Sequence, residues 1–326
     1  MQYLVLIGDI QEKIKTIKTA SIDCIITSPP YWSKRDYKAG SKEIGQEKTS
    51  QEYIDTLTTV SAECYRVLKK TGNFFLNIDD TFGRNYRAGM KKGSMLLIPE
   101  RLLCNLYDMK FYVRGKYIWR KLAPKPESTK DRLARTYEHI FHLTKSMDYY
   151  FDLDSVKEEY AETTITRIEQ FIKGKEEKML SSRKYWDKNY GKMLQSISKK
   201  YLEKKKRNHE VDGWMSDHKW WADDLRSNPG DVIILPSSNY PEAHFAVFNL
   251  ELPLYFLAMG CPKNKDAVVF DPFLGTGTTL EAACILGVNG IGVELSREYI
   301  SLIEKRLKPY LSQLDMFTER KLIIKE

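Results

Sequence analysis

The stretch that decides the fold spans residues 267–294, AVVFDPFLGTGTTLEAACILGVNGIGVE. Its first four residues form an apolar run typical of a buried strand, and a glycine-rich loop at 271–279 follows directly. Residues 280–286 resemble a helix, and residues 290–293 form a second strand-like run. A strand, a glycine loop and a helix N-terminus together let backbone N–H groups meet a polar ligand without obstruction by side chains. The sequence therefore predicts an α/β fold with a ligand at this loop.

Glu294 ends the second strand-like run, nineteen positions after Gly275. In nucleoside-binding α/β folds an acidic residue at this spacing binds ribose hydroxyls, although a carboxylate at a strand end can also be a solvated surface group. A dinucleotide fingerprint would require a third glycine at the position of Leu280. The pattern therefore favours a nucleoside cofactor over the pyrophosphate of a dehydrogenase cofactor.

A second motif, Thr27-Ser28-Pro29-Pro30-Tyr31-Trp32, follows the apolar run 22–26. Ligands of open α/β folds bind at such strand ends. Two consecutive prolines stiffen the loop and leave carbonyl groups without local partners. The loop also supplies a hydroxyl and two aromatic faces, which suits a planar amine such as a nucleobase taken out of its duplex. Alone, the motif is more typical of a simple proline-rich turn.

Together the two motifs resemble those of the DNA amino-methyltransferases, which move a methyl group from S-adenosylmethionine to the exocyclic nitrogen of cytosine or adenine. The proline motif is similar to the family's catalytic motif in its Ser form, and residues 271–279 are similar to its cofactor motif. Because the catalytic motif comes first, the order is that of the family's β group. The resemblance covers roughly residues 1–150 and 230–310.

The resemblance implies a role for each matching residue. Ser28 and the Pro29 carbonyl would accept the two amine N–H bonds, with Pro30 stiffening the loop, Tyr31 stacking on the base and Trp32 forming a pocket wall. Asp9 would bind the cofactor's adenine amine, Glu294 its ribose, and His244 and Phe245 would lie near its methionine end. The remaining cofactor-binding residues would be Asp271, Pro272, Phe273, Gly275, Gly277 and Thr278.

The rest of the chain predicts a doubly wound, mostly parallel Rossmann-like sheet, because strand-like runs alternate with helical ones. Thr49 and Glu52 form a capping box for a helix that runs to about Leu68. We expect residues 1–150 to form the catalytic half, 151–230 a largely helical target-recognition insert, and 231–326 the cofactor-binding half.

The formal net charge of +8 favours a polyanionic partner. Between Arg183 and Arg207 there are ten Lys or Arg against two acidic residues, interleaved with aromatic ones. This run could contact DNA phosphates, although a solvated helix face has the same composition. The candidate phosphate contacts are Lys199, Lys200, Lys204, Lys205, Lys206 and Arg207.

The five cysteines are far apart and have no Cys-x-x-Cys spacing, so they predict reduced thiols and no metal site. They also argue against methylation of a cytosine ring carbon, because that chemistry uses a Pro-Cys motif and Cys261-Pro262 has the reverse order. No apolar run is long enough to cross a membrane, and we expect a cytoplasmic protein.

The sequence therefore predicts a site-specific DNA methyltransferase that acts on double-stranded DNA with S-adenosylmethionine as cofactor. Ser28 favours the N4 amine of cytosine, since adenine-N6 relatives usually carry Asp at that position. Adenine N6 is the alternative within the class, and a DNA-binding module with a degenerate cofactor fold is the alternative outside it. A restriction endonuclease acting on the same site is a possible partner, and the oligomeric state is open.

Overall fold

The structure is a computed structural model that describes residues 1–35, 40, 42–83, 91–124, 126–159, 226–236, 249–312 and 319–326. The chain divides into two compact units. The first combines Met1–Ser155 with Gly230–Glu326, and the second is Val156–Pro229.

The first unit is built on a nine-stranded sheet. Its strands are β1 Gln2–Ile7, β2 Ile22–Thr27, β3 Leu68–Ile78, β4 Tyr112–Lys121, β5 Tyr137–Thr144, β8 Val232–Leu235, β9 Val268–Asp271, β10 Asn289–Glu294 and β11 Lys321–Lys325. Their order across the sheet is β11-β1-β10-β9-β2-β3-β5-β4-β8. All neighbouring strands are parallel except where β5 pairs with β3 and β4. The expected mostly parallel α/β sheet is confirmed.

Helices cover both faces of the sheet, as successive side chains of β3 demonstrate. Phe74 belongs to the core cluster beneath the helices that contain Tyr53 and Leu102, whereas Phe75 packs against Phe256 with ring centroids 4.8 Å apart. The sheet is therefore doubly wound. The helices are α1 Ile10–Lys13, α2 Ser50–Val67, α3 Ile98–Asp108, α4 Glu251–Gly260, α5 Thr278–Leu286 and α6 Glu298–Leu311, and short 3₁₀ turns span Ile14–Thr16 and Leu153–Val156.

The capping box predicted for α2 is present. The Thr49 hydroxyl accepts from the Glu52 N–H at 3.1 Å, and the Glu52 carboxylate accepts from the Lys48 N–H at 3.0 Å. One apolar face of this helix is buried, from Tyr53 to Val67. Local sequence therefore determines where α2 begins and which face enters the core.

Two strands have features that no local sequence signal indicates. β3 begins at Leu68, although residues 68–72 carry few strand signals. Gly72 permits this extension, because a Cβ there would lie 2.9 Å from the Asp23 carbonyl oxygen. β4 is continuous from Tyr112 to Lys121, although its pairing with β5 is irregular between Val113 and Gly115.

Of the second unit, the structure describes residues 156–159 and 226–229, which include two short antiparallel strands, β6 Glu158–Glu159 and β7 Arg226–Ser227. The expected helical insert and all six candidate phosphate-contacting residues, 199, 200 and 204–207, lie outside the described residues. None of the described helices is long and apolar enough to cross a membrane.

Candidate active site

The two sequence motifs meet because β2 and β9 are neighbouring parallel strands. Cys24 pairs with Val269 and Ile25 with Phe270, so the loops that follow the two strands leave the sheet at the same edge. The Thr27 hydroxyl then donates a 2.5 Å hydrogen bond to Asp271. Residues separated by 244 positions in sequence are thus joined at one site.

Asp271 organises the glycine-rich loop from the inside. Its Oδ1 accepts from the Thr27 hydroxyl and from the Phe273 N–H at 3.0 Å, and its Oδ2 accepts from the Thr279 hydroxyl at 2.6 Å. Burial raises the pKa of this carboxyl to about 6, although these three hydrogen bonds favour the charged form. The carboxylate therefore shapes the loop and is turned inward.

Gly275 and Gly277 both adopt positive φ values, of +56° and +87°, which L side chains rarely adopt. A Cβ at Gly277 would lie 3.2 Å from Ile303, so this glycine permits close helix packing. A Cβ at Gly275 would meet nothing within 4 Å. The space beside Gly275 thus leaves its backbone open to a ligand.

Glu294 lies across from this glycine. Its Oε2 accepts from the Gly275 N–H at 2.8 Å, and its Oε1 accepts from the Ser296 N–H at 2.7 Å. The residue is only 8% exposed, and burial raises its pKa to about 7. Each oxygen retains acceptor capacity for a further donor. The interpretation of Glu294 as a solvated surface group is wrong.

Asp9 lies at the end of β1, the parallel neighbour of β10. The Gly8 N–H donates to the Glu294 carbonyl at 2.8 Å, which brings the two strand ends together. Asp9 caps α1 through a 2.9 Å bond from the Gln11 N–H to its Oδ1. Asp9, Glu294 and the glycine loop therefore follow three adjacent strands, as a nucleoside site at this edge requires.

The proline motif carries a chain of hydrogen bonds. The Ser28 hydroxyl donates to the Tyr31 hydroxyl at 3.2 Å, and Tyr31 donates to Glu138 Oε2 at 2.5 Å. Asn77 donates to the same Glu138 oxygen at 3.0 Å, and Lys121 is ion-paired with the other one. Burial and the charges of Glu138 and Asp79 raise the pKa of Tyr31 well above its usual value, so its hydroxyl keeps its proton.

The loop is anchored from below. The Pro30 carbonyl accepts from the Tyr53 hydroxyl at 2.8 Å. Trp32 is 4% exposed, packs within the core cluster and donates from Nε1 to the Glu47 carbonyl at 3.0 Å. Trp32 therefore supports the loop from within the protein.

A group of charged residues missed by sequence reasoning lies beside this loop. Asp79 accepts from Lys34 at 2.5 Å and from Arg135 at 3.0 Å. Lys34 also lies 4.8 Å from the centre of the Tyr31 ring. Asn77 and Asp79 could have been found, because they end or follow β3, the neighbour of β2, and polar residues at such strand ends are site candidates.

Two of the predicted site residues, His244 and Phe245, lie outside the described residues. Within the described part of the chain, no three His, Cys, Asp or Glu side chains form a group that could hold a metal ion. Four cysteines are buried and Cys104 is exposed. The described geometry thus presents an acidic, glycine-lined cradle next to an aromatic, hydroxyl-bearing loop.

These features define an α/β fold with a glycine-lined, acidic cradle and a proline loop at the same edge of its sheet. A family model described as DNA methylase matches residues 22–305. The chain belongs to this N6/N4 family and is a DNA methyltransferase. The S-adenosylmethionine dependence expected from the sequence is confirmed at the level of the family.

Individual relatives agree with this assignment. The chain is 35% identical over 322 residues to the type II methyltransferase M.Cfr9I of Citrobacter freundii, which covers 92% of this chain and 86% of the relative. It is 29% identical over 325 residues to the type II methyltransferase M.SmaI of Serratia marcescens. This match covers 93% of this chain and 90% of the relative.

Solved structures share the fold at lower identity. The cytosine-N4-specific PvuII DNA methyltransferase superposes with a TM-score of 0.61 at 17% identity, covering 98% of this chain and 90% of that one. A DNA modification methylase of Thermus thermophilus, solved with S-adenosylmethionine, superposes with a TM-score of 0.58 at 18% identity. The superposition covers 99% of this chain and 98% of that one.

Proposed function

We propose that the protein methylates the N4 amine of cytosine within a specific sequence of double-stranded DNA, as the modification enzyme of a restriction-modification system. The observation that carries this proposal is Ser28, a neutral hydroxyl at the first position of the catalytic motif. The type II methyltransferase relatives support the role in restriction-modification. A restriction endonuclease of the same site specificity is the partner that such a role requires.

The chemistry of an exocyclic amine accounts for the proline motif. The amine lone pair is delocalised into the ring, so two acceptors must orient both N–H bonds before the nitrogen can attack. Ser28 Oγ and the Pro29 carbonyl are these acceptors in our proposal. The Pro30 carbonyl is already engaged by Tyr53, whereas among the described residues no donor is bonded to the Pro29 carbonyl.

Tyr31 provides a ring on which the extruded base stacks, and stacking of this kind contributes about 1–3 kcal/mol. Lys34 lies against that ring and is held by Asp79, so its charge can meet a DNA phosphate only if that pair opens. Trp32 acts as a rigid backing for the pocket wall.

S-adenosylmethionine supplies a methyl group on a positively charged sulfur. The open space at Gly275 fits the backbone approach of such a cofactor, and Glu294 can accept its ribose hydroxyls. In this proposal Asp9 Oδ2 accepts a hydrogen bond from the adenine amine, since Oδ1 already caps α1. Asp271 acts by holding the loop, and the remaining residues proposed to surround the cofactor are Pro272, Phe273, Gly277, Thr278, His244 and Phe245.

The product of the reaction tests the proposal. Duplex DNA is incubated with the protein and S-adenosylmethionine, digested, and analysed by nucleoside mass spectrometry, and the methylated sites are mapped by long-read sequencing. We expect N4-methylcytosine at one sequence, and its loss with Ser28→Ala. N6-methyladenine alone would refute the cytosine assignment within the same class. Binding of DNA without any methylation would support the DNA-binding module.

A further inference from the structure

A partly buried chain of hydrogen bonds runs along the strand ends to the proposed target pocket. We name it the acceptor chain, and it consists of Lys121, Glu138, Asn77, Tyr31 and Ser28. It is assembled from four strands or loops, because Lys121 ends β4, Glu138 is the second residue of the antiparallel strand β5, Asn77 lies near the end of β3, and the proline loop follows β2. Glu138 is 6% exposed and Asn77 is 2% exposed.

The direction of each hydrogen bond is determined from the Glu138 end. Lys121 binds one carboxylate oxygen, and the Asn77 amide donates to the other at 3.0 Å. A carboxylate can only accept, so the Tyr31 hydroxyl must donate its single proton to Glu138 at 2.5 Å. Asn77 Oδ1, at 3.2 Å, is the weaker acceptor because it is neutral and more distant.

The same reasoning continues to Ser28. Since the Tyr31 proton is committed to Glu138, the Tyr31 oxygen is left with lone pairs, and the Ser28 hydroxyl donates to it at 3.2 Å. The Ser28 proton thus points into the protein. The lone pairs of Ser28 are left for a group that enters the pocket.

We infer that Glu138, acting through Tyr31, fixes the Ser28 hydroxyl as a hydrogen-bond acceptor and so makes the pocket select an exocyclic amine over a carbonyl oxygen. A serine hydroxyl alone can donate or accept, and would accommodate either group. Because its proton is donated to Tyr31, the Ser28 hydroxyl can accept a hydrogen bond from an amine N–H. A carbonyl oxygen in the same place would bring its lone pairs against those of Ser28, which is unfavourable. Glu138 is a positioning residue in this account, and the inference rests on the proposed function.

The substrate consequence concerns deaminated bases. Cytosine and uracil differ at ring position 4 by an amine against a carbonyl, and adenine and hypoxanthine differ in the same way at position 6. A buried polar pair with the wrong polarity costs as much as an unsatisfied group, which corresponds to roughly ten- to hundredfold in affinity. The acceptor chain therefore discriminates against the deaminated counterpart of the target base.

Two variants weaken or remove the hydrogen bond that the Ser28 hydroxyl donates to Tyr31. In Glu138→Gln the amide oxygen remains with Lys121, so its NH₂ group faces the Tyr31 oxygen and competes with the Ser28 hydroxyl for the lone pairs of that oxygen. Tyr31→Phe keeps the aromatic ring and every buried charge pair but removes the oxygen that receives the Ser28 proton. Glu100→Gln is the matched control, because Glu100 is likewise paired with a lysine of β4, Lys116, at 3.0 Å.

The measurement is the affinity for two duplexes that contain either the base methylated by the wild type or its deaminated counterpart, uracil for cytosine or hypoxanthine for adenine. Because each enzyme meets the same two duplexes, the cost of opening the base pair cancels between enzymes. The quantity compared is the ratio of the affinity for the duplex with the target base to the affinity for the duplex with its deaminated counterpart. We expect Glu138→Gln and Tyr31→Phe to reduce this ratio by about tenfold or more relative to the wild type, and Glu100→Gln to leave it unchanged.

Methyl transfer provides the second measurement. We expect kcat to fall about ten- to hundredfold in both test variants with KM for DNA nearly unchanged. If the wild type methylates DNA but neither variant alters the ratio of affinities, the inference is overturned while the proposed function stands. If the wild type methylates no base, both fail. Should Glu138→Gln not fold, Tyr31→Phe decides the question alone.

Discussion

The Thr27 hydroxyl and the Asp271 carboxylate are joined by a 2.5 Å hydrogen bond in the interior of the protein. Thr27 is 1% exposed and Asp271 is 2% exposed. This contact connects the strand that carries the proposed catalytic loop to the strand that carries the cofactor loop. A buried, charge-assisted bond therefore holds the two loops together in addition to the pairing of β2 with β9.

Replacing Thr27 by Val tests this dependence. Val retains the β-branched shape but removes the donor, and hydrogen bonds to charged groups contribute about 1.5–3 kcal/mol. We expect the free energy of unfolding in urea to fall by that amount. Thr59→Val is the control, because Thr59 is exposed on α2 and bonds only its own helix backbone, so its change should stay within about 0.5 kcal/mol. If both substitutions lowered the free energy of unfolding equally, the Thr27 hydrogen bond would contribute no more to stability than that of an exposed helix threonine.

Glu294 predicts a dependence of stability on pH. Burial raises its pKa to about 7 in the folded protein, above the ordinary value of 4.5. Below pH 4.5 both states hold the proton, and between the two values only the folded state holds it. The free energy of unfolding should therefore fall as pH rises through this window, by roughly 3 kcal/mol from this residue.

The contribution of Glu294 can be isolated with Glu294→Gln, which cannot titrate. We measure the free energy of unfolding in urea without cofactor at pH 5 and pH 7.5. The decrease in this free energy between the two pH values should be smaller in this variant than in the wild type. Glu298→Gln, at an exposed glutamate on α6, should behave as the wild type. The interpretation would be contradicted if Glu294→Gln and the wild type lost the same amount.

The same carboxylate also predicts how cofactor binding responds to pH. Its ionised form offers acceptors to both ribose hydroxyls, and protonation removes one of them. The affinity for S-adenosylmethionine, measured by calorimetry, should therefore weaken as pH falls below about 7. Glu294→Gln should bind weakly at every pH. A variant that retained the wild-type pH dependence would place the titrating group elsewhere.

Gly275→Val should abolish cofactor binding, because its side chain would fill the open space beside the loop. Gly93 offers a matched control, since its φ is +76° and a Cβ there also meets nothing within 4 Å. Both valines bear a similar cost for positive φ, of about 1–2 kcal/mol. Only Gly275→Val should lose S-adenosylmethionine in calorimetry. Loss of binding in both variants would indicate general destabilisation.

Tyr31→Ala should show the opposite division of effects. It removes the stacking surface of the proposed target pocket while the glycine loop and Glu294 remain in place. We expect loss of most methyl transfer with an unchanged affinity for S-adenosylmethionine. A fall in cofactor affinity equal to that of Gly275→Val would contradict the assignment of the two loops to separate tasks.

Parallel strands made much of this site predictable from sequence. Ser28, Asp271 and Glu294 each follow or end an apolar run, and side chains at such ends converge on one edge of a parallel sheet. The bounds of α2 followed from Thr49 and Glu52 for an equally local reason, since the capping box is a short-range hydrogen-bond pattern.

Glu138 could not be assigned in this way, because it lies near the beginning of its strand. Only the antiparallel direction of β5 brings that residue to the edge where β2 and β3 end, and strand direction is determined by tertiary pairing with Phe74 and its neighbours. Lys121 reaches the same edge because β4 reverses direction again. The links from Tyr31 to Lys121 therefore required the sheet topology.

The last prediction concerns the basic run, whose role in DNA binding is proposed from the sequence. If Lys204, Lys205 and Lys206 contact phosphates, each contact releases a condensed counterion, and the logarithm of affinity falls with the logarithm of salt concentration by about 0.9 per contact. Replacing all three by Ala should reduce the slope by two to three units and weaken binding to all sequences about equally.

The choice of methylation site should survive this triple substitution, because phosphate contacts position a protein without reading bases. Fluorescence polarisation over a salt series gives the slope, and sequencing of methylated DNA gives the site. Lys15→Ala, at an exposed lysine near α1 in the first unit, is a charge control that should leave the slope unchanged. A slope unaltered by the triple substitution would identify the run as a solvated face. Lys34, Arg35 and Lys121 around the proline loop would then be the next candidates for phosphate contacts.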